Sequence, residues 1–276
     1  MRDHTLQTLR FNQMPIHSTA IINPSACIAE TAEIGPYCVI SGQVSIGPRT
    51  RVGPYVQVLG HSRIGADCQI HAGAVIGDVP QDRSYSGGVS FCDIGDRTVI
   101  REHVTIHRGT GVETATRVGN DCMLMTGSHV AHNCEVGNRV TLVSGALLGG
   151  YVRVEDNAVI AGNAGVHQFV RIGAFAMVGA LTMVRQDVPP CFLIDERGLC
   201  VGINRVGLQR AGLGQADRDE AKTAYRLLCR SASTLEDAIE SLRSSVRTIT
   251  GRTILNFVCS ESKRGLLRRS PKNSSL

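Results

Sequence analysis

Aromatic residues are scarce in this sequence, and tryptophan is absent. Phenylalanine, tyrosine and tryptophan together make up 4% of the 276 residues, whereas glycine occurs 30 times. A core built on aromatic clusters is therefore excluded, and small and branched aliphatic side chains must fill the interior. The length is sufficient for one large domain or two smaller ones with ample core.

Long apolar runs are absent as well. None approaches the ~18–20 residues that a membrane-spanning helix needs. Residues 1–13 also lack the apolar centre of a signal peptide. We therefore expect a cytoplasmic protein that does not span a membrane.

The net charge is modest, at +5. Much of it lies in the C-terminal run from Lys263-Arg264 to Arg268-Arg269, which is typical of a solvated tail. No basic patch is interleaved with aromatic residues, so we do not expect nucleic acid as a partner. A small basic surface of this kind can still help an acidic protein partner to dock.

Disulfide and metal motifs are missing although the chain has ten cysteines. No C-x-x-C pair occurs. Four of the cysteines share one slot of the repeat described below, which alanine, valine, threonine or serine fills elsewhere: Cys38, Cys68, Cys122 and Cys134. We interpret them as small structural hydrophobes.

A six-residue period runs through most of the chain. Steps of six from Ile16 to Val184 give 29 positions, and only Asp82 and Gly88 among them are not isoleucine, valine or leucine. The next residue is often glycine, and the fifth residue of each hexad is nearly always small. Neither a period of 2 nor one of 3.6 gives this pattern, so free strands and amphipathic helices are excluded.

Such hexads predict a parallel β-helix, in which branched residues point inward and glycine turns the corners. Three hexads close one triangular coil of about 18 residues. Residues 16–190 would then form about ten coils at the ~4.8 Å strand spacing, a prism roughly 45–50 Å long. The predicted fold class is an all-β solenoid plus α.

Two interruptions break the prism. Residues 77–93 lose the aliphatic spine and are rich in turn formers, and residues 108–116 form a second predicted loop in which Val112 keeps the phase. Loops that leave a rigid scaffold commonly carry binding residues.

The two ends differ from the prism. Residues 1–15 are an N-terminal extension, 191–204 a connector and 205–276 a predicted C-terminal helical domain. Within that domain we expect a helix at 215–230, a helix opened by a capping box of Ser233 with Glu236, and a third helix near 253–264.

Because three hexads form one coil of about 18 residues, residues 18 positions apart are expected to stack on each other. No insertion interrupts the six-residue repeat from residue 118 to 188. One ladder consists of His132, Gly150 and Gln168, with His167 beside it and His129 on the preceding edge. A second ladder consists of Ser144, Gly162 and Ala180. An imidazole titrates at about 6.5 and can act as a base; beside an open backbone N–H and a strip of tiny side chains, it suits an acyl chain lying along the coil.

Several motifs resemble one enzyme family over nearly the whole chain from about Pro15. They are Ile106-His107-Arg108-Gly109-Thr110, His129-Val130-Ala131-His132, Val166-His167-Gln168-Phe169, Gln186-Asp187-Val188-Pro189-Pro190 and Gly207-Leu208-Gln209-Arg210. These stretches are similar to the UDP-N-acetylglucosamine O-acyltransferases, which make the first acyl transfer of lipid A synthesis. Resemblance to hexapeptide-repeat proteins also implies a left-handed winding, so the expected fold is a left-handed parallel β-helix with a C-terminal helical domain.

The resemblance implies a mechanism. His132 matches the general base that takes the proton of the sugar 3-hydroxyl, which attacks the thioester of a 3-hydroxyacyl chain on acyl carrier protein. Gly150 matches the backbone N–H that stabilises the developing oxyanion, a contribution often worth ~3–4 kcal/mol. The family is a homotrimer with sites between prisms, and it needs no metal or bound cofactor.

Further residues match positions that bind substrate in the family. Those that line the sugar-nucleotide and acyl sites are Gln81, Asp82, His129, His167, Gln168, Asn204 and Arg210. Ala180 matches the position that limits acyl length, with Met177 nearby and Gly162 one coil before it. A donor of about 12–14 carbons is expected by analogy, since a filled groove tolerates even one added methylene poorly.

The sequence departs from the family at several positions. Tyr151 stands where a histidine is usual, Asn133 replaces a frequent aspartate after the base, Ser84 stands for a lysine, and Val206 replaces an acid near the nucleotide. Asp195-Glu196-Arg197 also replaces a Gln-Gly-Asn stretch, and one residue is missing before Gly202.

These departures leave alternatives open. The acceptor could be a 3-amino UDP-sugar, which would give an amide, or the enzyme could be a hexapeptide transferase that uses acetyl-CoA. A metal site like that of β-helical carbonic anhydrases would draw on His103, His107, His129 and His132 across a trimer interface. A non-catalytic paralogue that serves as a scaffold is the remaining alternative.

Overall fold

The structure is a computed structural model that describes residues 15–231 and 233–268. The predicted N-terminal extension lies outside these residues except for Pro15, as does the end of the basic tail beyond Arg268. In the described part, 27 short strands are followed by four α-helices and one π-helix.

The strands form three sheets that we name faces A, B and C, and all of their pairs are parallel except the one between the last two strands of the chain. Face A contains β1 Ile21–Ile22, β4 Val39–Ser41, β7 Gln57–Leu59, β10 Val75–Asp78, β13 Thr105–His107, β16 His129–Val130, β19 Leu147–Leu148, β22 Gly165–Val166 and β25 Met183–Val184. Face B contains β2 Cys27–Ile28, β5 Ser45–Ile46, β8 His61–Ile64, β11 Phe91–Ile94, β14 Ala115–Val118, β17 Glu135–Val136, β20 Arg153–Val154 and β23 Arg171–Ile172. Face C contains β3 Glu33–Ile34, β6 Arg51–Val52, β9 Gln69–Ile70, β12 Val99–Ile100, β15 Met123–Leu124, β18 Thr141–Leu142, β21 Val159–Ile160, β24 Met177–Val178, β26 Phe192–Ile194 and β27 Cys200–Ile203.

Apart from β26 and β27, which form an antiparallel pair, each strand pairs with the strand one coil further on, not with its neighbour in sequence. His129 pairs with Leu147 and Val130 with Leu148, a register of one coil. The chain visits faces A, B and C in turn and returns, so the predicted parallel β-helix is confirmed. We call the corners between faces edge AB, edge BC and edge CA.

The interior is the aliphatic spine that the period of six predicts. In most strands the inward residue is fully or almost fully buried, as at Ile40, Leu148 and Ile160, while its predecessor faces outward. Full burial of such a side chain stabilises the fold by ~1.5–3 kcal/mol. Val112 is 68% exposed in the second loop, so its agreement with the phase is a coincidence.

The cysteines of the shared slot lie inside the prism. Cys38, Cys68, Cys122 and Cys134 are buried and unpaired. Burial raises the pKa of the Cys134 thiol to about 12, so this group stays protonated and packs as a small hydrophobe.

Both excursions leave the prism at edge AB. The first runs from 79 to 90, between β10 and β11, and the second from 108 to 114, between β13 and β14. Because β10, β13 and β16 are successive strands of face A, the two loops belong to the two coils that precede the coil of His132. The fold thus gathers both loops beside the predicted base.

The C-terminal helices cover the end of the prism. They are α1 Arg205–Arg210, α2 Gln215–Tyr225, the π-helix Arg226–Arg230, α3 Leu235–Ser245 and α4 Ile249–Cys259. Arg171 of β23 joins the two parts, because it pairs with the fully buried Asp187 at 2.7 Å and lies 4.4 Å from the ring centre of Phe257. None of the helices in the described ranges is long and apolar enough to cross a membrane.

Two helix boundaries differ from the prediction. The capping box of α3 is formed by Thr234 and Asp237, so the assignment to Ser233 and Glu236 was wrong by one residue. The last helix begins at Ile249, with the Thr248 hydroxyl accepting a hydrogen bond from the Gly251 N–H, and it ends before the predicted 264. In both places a threonine that is less obvious in the pattern caps the helix.

Candidate active site

His132 lies at edge AB, where the chain turns from β16 to β17. Only 8% of the residue is exposed. The next residue, Asn133, has φ +59°, a left-handed conformation that asparagine tolerates better than most residues. The turn thus holds the imidazole against the prism instead of releasing it into solvent.

The Nδ1 side of the imidazole meets two oxygen atoms. The Thr110 Oγ1 atom, from the second excursion, is 2.7 Å away, and the Asn133 Oδ1 atom is 3.0 Å away. The Thr110 N–H also donates to Asn133 Oδ1 at 3.0 Å. The loop and the turn therefore form one connected network around a single ring nitrogen.

The Nε2 side meets a carboxylate from the first excursion. Asp82 Oδ2 is 3.5 Å from His132 Nε2. Hydrogen bonds from the Ser84 N–H and hydroxyl lower the pKa of Asp82 below its usual value, and so does a smaller contribution from His132. Asp82 therefore carries a negative charge beside Nε2 of the predicted base.

Gly150 lies one coil further on and touches the ring. A Cβ atom at this position would come within 2.6 Å of His132 Nε2 and Cε1, so only glycine leaves room for the imidazole. Backbone bonds from the Tyr151 N–H to the His132 carbonyl and from the Phe169 N–H to the Gly150 carbonyl stack the three coils. The counting prediction that His132, Gly150 and Gln168 stack is therefore confirmed.

The amide N–H of Gly150 donates no hydrogen bond among the described residues. Backbone N–H groups are strong donors that are usually paired when buried. An unpaired N–H next to a histidine is the kind of donor that stabilises an anionic oxygen of a ligand.

Two further histidines lie next to the base. His129 is on face A, with its Nδ1 2.7 Å from Thr105 Oγ1 and its ring centre 5.1 Å from that of His107. Burial lowers the pKa of His129 to about 4 and that of His107 below its usual value. Both rings are therefore neutral at pH 7.

An aromatic column continues from the base along edge AB. Tyr151 meets His132 edge-on at 5.3 Å and stacks on Phe169 at 4.9 Å, with Lys263 Nζ 5.0 Å from the Phe169 ring centre. Both aromatic residues have positive φ, 61° and 67°, which bulky residues adopt rarely. The turn at the corner therefore imposes this backbone conformation on both residues, and the stacking of their rings offsets part of its cost.

A cleft of about 500 Å³ opens beside this column on face B. It is lined by Glu113, Thr114, Ala115, Arg117, Asn133, Glu135, Tyr151, Arg153, Phe169, Arg171, Glu261 and Lys263. Its lining has three acidic residues and four basic ones, so the cleft has little net charge.

The remaining candidates on edge AB are peripheral to the base. His167 and Gln168 follow β22 in the coil after Gly150, and the His167 Nδ1 atom is 3.2 Å from the Gln168 carbonyl oxygen. Gln168 is exposed, and so is Gln81 in the first excursion. These side chains are accessible to a ligand bound at His132.

Other candidates lie on different edges of the same prism. Gly162 and Ala180 stack at edge CA, as the Leu181 N–H bond to the Gly162 carbonyl indicates, and Met177 is on face C. Asn204 caps α1 and donates to the Phe175 carbonyl oxygen at edge BC, and Arg210 is exposed at the end of that helix. One chain therefore does not bring these residues to His132.

Thr110 is the functional candidate that counting missed. It appears in a motif quoted for the family resemblance, but the second excursion breaks the period, so no register predicts its contact with His132. Its neighbour in the fold, Asn133, was noted only as a departure.

The histidines of the carbonic anhydrase alternative do not converge within one chain. His103 lies at edge CA, where its ring occupies the space above Gly73, while the other three are on face A or edge AB. In the described residues no group of three or more histidine, cysteine, aspartate or glutamate side chains is arranged to hold a metal ion.

Comparison with known families matches two parts of the chain. Residues 187–267 match the model of UDP N-acetylglucosamine O-acyltransferase domain 2. Residues 43–78 and 115–150 match the bacterial transferase hexapeptide repeats. The two matches cover the helical region and parts of the prism.

Individual relatives extend over most of the chain. The acyl-[acyl-carrier-protein]–UDP-N-acetylglucosamine O-acyltransferase of Herminiimonas arsenicoxydans is 42% identical over 260 residues, which are 92% of this chain and 99% of that protein. The protein of the same name from Gloeothece citriformis is 45% identical over 177 residues, and the match spans 64% of each chain.

A solved structure agrees with the whole fold. The UDP-N-acetylglucosamine acyltransferase of Francisella novicida superposes with a TM-score of 0.90 at 36% identity, covering 95% of this chain and 96% of that one. The expected left-handed β-helix with a C-terminal helical region is thereby confirmed. The chain belongs to the acyl-[acyl-carrier-protein]–UDP-N-acetylglucosamine O-acyltransferase family.

Proposed function

We propose that this protein transfers a 3-hydroxyacyl chain from acyl carrier protein to the 3-hydroxyl of UDP-N-acetylglucosamine, the first step of lipid A biosynthesis. One observation carries the proposal. The imidazole of His132 packs directly on Gly150, whose N–H is unpaired in the described residues, and the two meet at edge AB beside both excursions.

In the proposed reaction, His132 Nε2 accepts the proton of the sugar 3-hydroxyl as the oxygen attacks the thioester carbonyl. The Gly150 N–H donates to the resulting oxyanion, which is worth ~3–4 kcal/mol in comparable sites. When the tetrahedral intermediate collapses, the carbon–sulfur bond breaks and the thiolate of acyl carrier protein takes the proton from the imidazolium. No metal or cofactor takes part in these steps.

The carboxylate of Asp82 supports the same assignment. At 3.5 Å from His132 Nε2, it stabilises the ring most strongly when that nitrogen carries a proton. It can also accept a hydrogen bond from a sugar hydroxyl, and Gln81 precedes it in the same exposed loop. His129 is neutral and can serve as a hydrogen-bond partner without adding charge to the site.

We infer further that the working unit is a homotrimer. His132 lies at edge AB, Ala180 at edge CA and Asn204 beside edge BC, so one substrate cannot contact all three sets on one prism. Exposed apolar residues on face A, such as Leu147 (49% exposed) and Met183 (53% exposed), fit burial against another copy or an acyl chain. Light scattering of the purified protein measures the mass directly, and a monomer would contradict this inference.

In a trimer of this kind, the acyl chain would lie between prisms. We propose that Gly162, Met177 and Ala180 of one copy line the groove that starts at His132 of the next. His167, Gln168, Asn204 and Arg210 would then hold the sugar nucleotide. We expect the reaction in the cytoplasm, where acyl carrier protein loaded with its acyl chain and the sugar nucleotide meet.

Mass spectrometry of the products tests the function. The protein would be incubated with a panel of 3-hydroxyacyl donors on acyl carrier protein, with UDP-N-acetylglucosamine or its 3-amino analogue as acceptor. An ester product supports the proposal, whereas an amide from the analogue alone would assign the other acceptor. No product with any donor, or acetyl transfer from acetyl-CoA instead, would refute it.

A further inference from the structure

The orientation of Asn133 determines which nitrogen of His132 carries the proton. The Thr110 N–H donates to Asn133 Oδ1 at 3.0 Å, so the oxygen of the amide, and not its NH₂ group, faces this region. The same oxygen is 3.0 Å from His132 Nδ1. Because an amide oxygen only accepts hydrogen bonds, His132 Nδ1 must be the donor.

Thr110 completes this arrangement. Its Oγ1 atom is 2.7 Å from Nδ1, and with the proton on Nδ1 it accepts from the same N–H, so that its own hydroxyl proton is left for another acceptor. The Asn133 backbone N–H is fixed in turn by the buried Thr116 hydroxyl at 2.7 Å. The neutral ring is therefore held with the proton on Nδ1 and the lone pair on Nε2.

We infer that Thr110 and Asn133 are positioning residues that fix the reactive tautomer of His132 through two neutral acceptors. The inference rests on the proposed function only for its effect on transfer. The negative partner of the protonated ring is then Asp82, which approaches from the opposite, Nε2 side. A single carboxylate next to Nδ1 could both orient the imidazole and stabilise its positive charge. Here Thr110 and Asn133 orient the ring, whereas Asp82 of the first excursion stabilises the charge.

The surroundings of the ring favour this division. The titratable groups that face His132 are Asp82 from the first excursion, Tyr151 from the following coil, and His107 and His129 from face A. The two neighbouring histidines are neutral at pH 7, so Asp82 is the only charged group among these four. A neutral network on the Nδ1 side fixes the tautomer without adding a second charge.

Nitrogen NMR of the full-length protein with ¹⁵N-labelled histidine tests the tautomer without any substrate. The His132 signals are assigned by their loss in His132→Gln. We expect a protonated-type shift for Nδ1 and an unprotonated-type shift for Nε2 at a pH where the ring is neutral. The reverse pattern would overturn the inference, and this outcome is independent of whether acyl transfer occurs.

Substitutions at Thr110 test the effect on catalysis. Thr110→Val keeps the shape but removes the acceptor, so both tautomers become populated and kcat falls about 10–100-fold, as when the partner that orients a metal-bound histidine is removed. The KM for the sugar nucleotide stays nearly constant, because no substrate contact is removed. Thr110→Ser retains the hydroxyl and is expected to return most of the activity. Equal losses in both variants would indicate a packing role and contradict the inference.

Asn133→Asp tests the division of charge. A carboxylate beside Nδ1–H stabilises the protonated ring, so the acidic limb of the kcat/KM profile moves to higher pH by about one unit. Thr110→Ser should leave that limb in place. An unchanged limb in Asn133→Asp would mean that this side chain does not contact the ring during catalysis, which would overturn the assignment.

Discussion

Faces A and B share one interior and have opposite exteriors. On both, the inward residue of each strand is a buried aliphatic, such as Leu148 on face A and Ile172 on face B. The outward residues on face A from β13 onward are uncharged at pH 7: Thr105, His129, Leu147, Gly165 and Met183. Those on face B from β8 onward are all charged, with signs that alternate up to Arg153 and end in a second arginine: Arg63, Asp93, Arg117, Glu135, Arg153 and Arg171.

The inward residues of the hexads therefore determine the fold, whereas the outward residues determine the properties of each surface. On face B, oppositely charged side chains of neighbouring coils pair with each other, for example through two parallel bonds from Arg63 to Asp93 at 2.6 and 2.9 Å. Face A leaves apolar side chains and neutral histidines next to edge AB. The same hexad thus forms both a charged face and a reactive face, and the faces differ in the residues at the outward position.

The largest expected effect is at the reactive edge. His132→Ala should reduce transfer by about 10²–10⁴-fold, the usual contribution of a general base, with the secondary structure unchanged by circular dichroism. His61→Ala on face B is the matched control and should retain activity. Activity of His132→Ala within about tenfold of the parent would rule out the general-base role.

The shared interior should respond equally under both faces. Leu148→Ala and Ile172→Ala each remove a fully buried aliphatic side chain and should each lower the free energy of unfolding by ~2–5 kcal/mol. Chemical denaturation measures both. If only one variant had a lower free energy of unfolding, the buried aliphatic residues of the other face would not stabilise the fold.

Face A should also make stability depend on pH. The pKa of His129 is lowered by burial to about 4, whereas an unfolded histidine titrates at about 6.5. Between these values the unfolded state binds more protons, so stability is complete above pH ~6.5 and falls by about 3 kcal/mol on acidification to pH ~4. His129→Gln should flatten this part of the curve; an unchanged slope would assign it to other groups.

Edge CA, at the far side of face A, should control donor length. Ala180→Gly removes a methyl group and should move the preference towards longer 3-hydroxyacyl chains, whereas Ala180→Met should move it towards shorter ones. Each methylene is discriminated by only ~1–3 kcal/mol, so the profile shifts without abolishing transfer. Competition between donors, read by mass spectrometry, measures it. If both variants keep the parent profile, the acyl chain does not reach this edge.

The smallest effect is expected on the exterior of face B. Arg153 and Glu135 form an exposed pair at 3.2 Å, and such pairs contribute about 0–1 kcal/mol. Glu135→Gln should change the free energy of unfolding by less than ~1 kcal/mol and weaken the salt dependence of stability. A larger loss would show that the charge ladder supports the fold as the spine does.

The sequence by itself determined the prism and the stacking of its uninterrupted coils. A branched aliphatic residue at every sixth position is buried when three hexads close one coil, so counting alone placed Gly150 next to His132. Local signals were weaker at the C-terminal domain, where Thr234 and not Ser233 begins α3, because adjacent hydroxyl residues offer equivalent caps.

Only the tertiary structure decided the surroundings of the base. Asp82 and Thr110 come from loops that break the period, and the contact of a loop depends on packing against distant coils that no repeat encodes. The six-residue count already places His132 on a different ladder from Gly162 and Ala180, and the structure assigns these ladders to edges AB and CA. The count does not give the side chains around each ladder, because Asp82 and Thr110 reach His132 only through the packing of their loops.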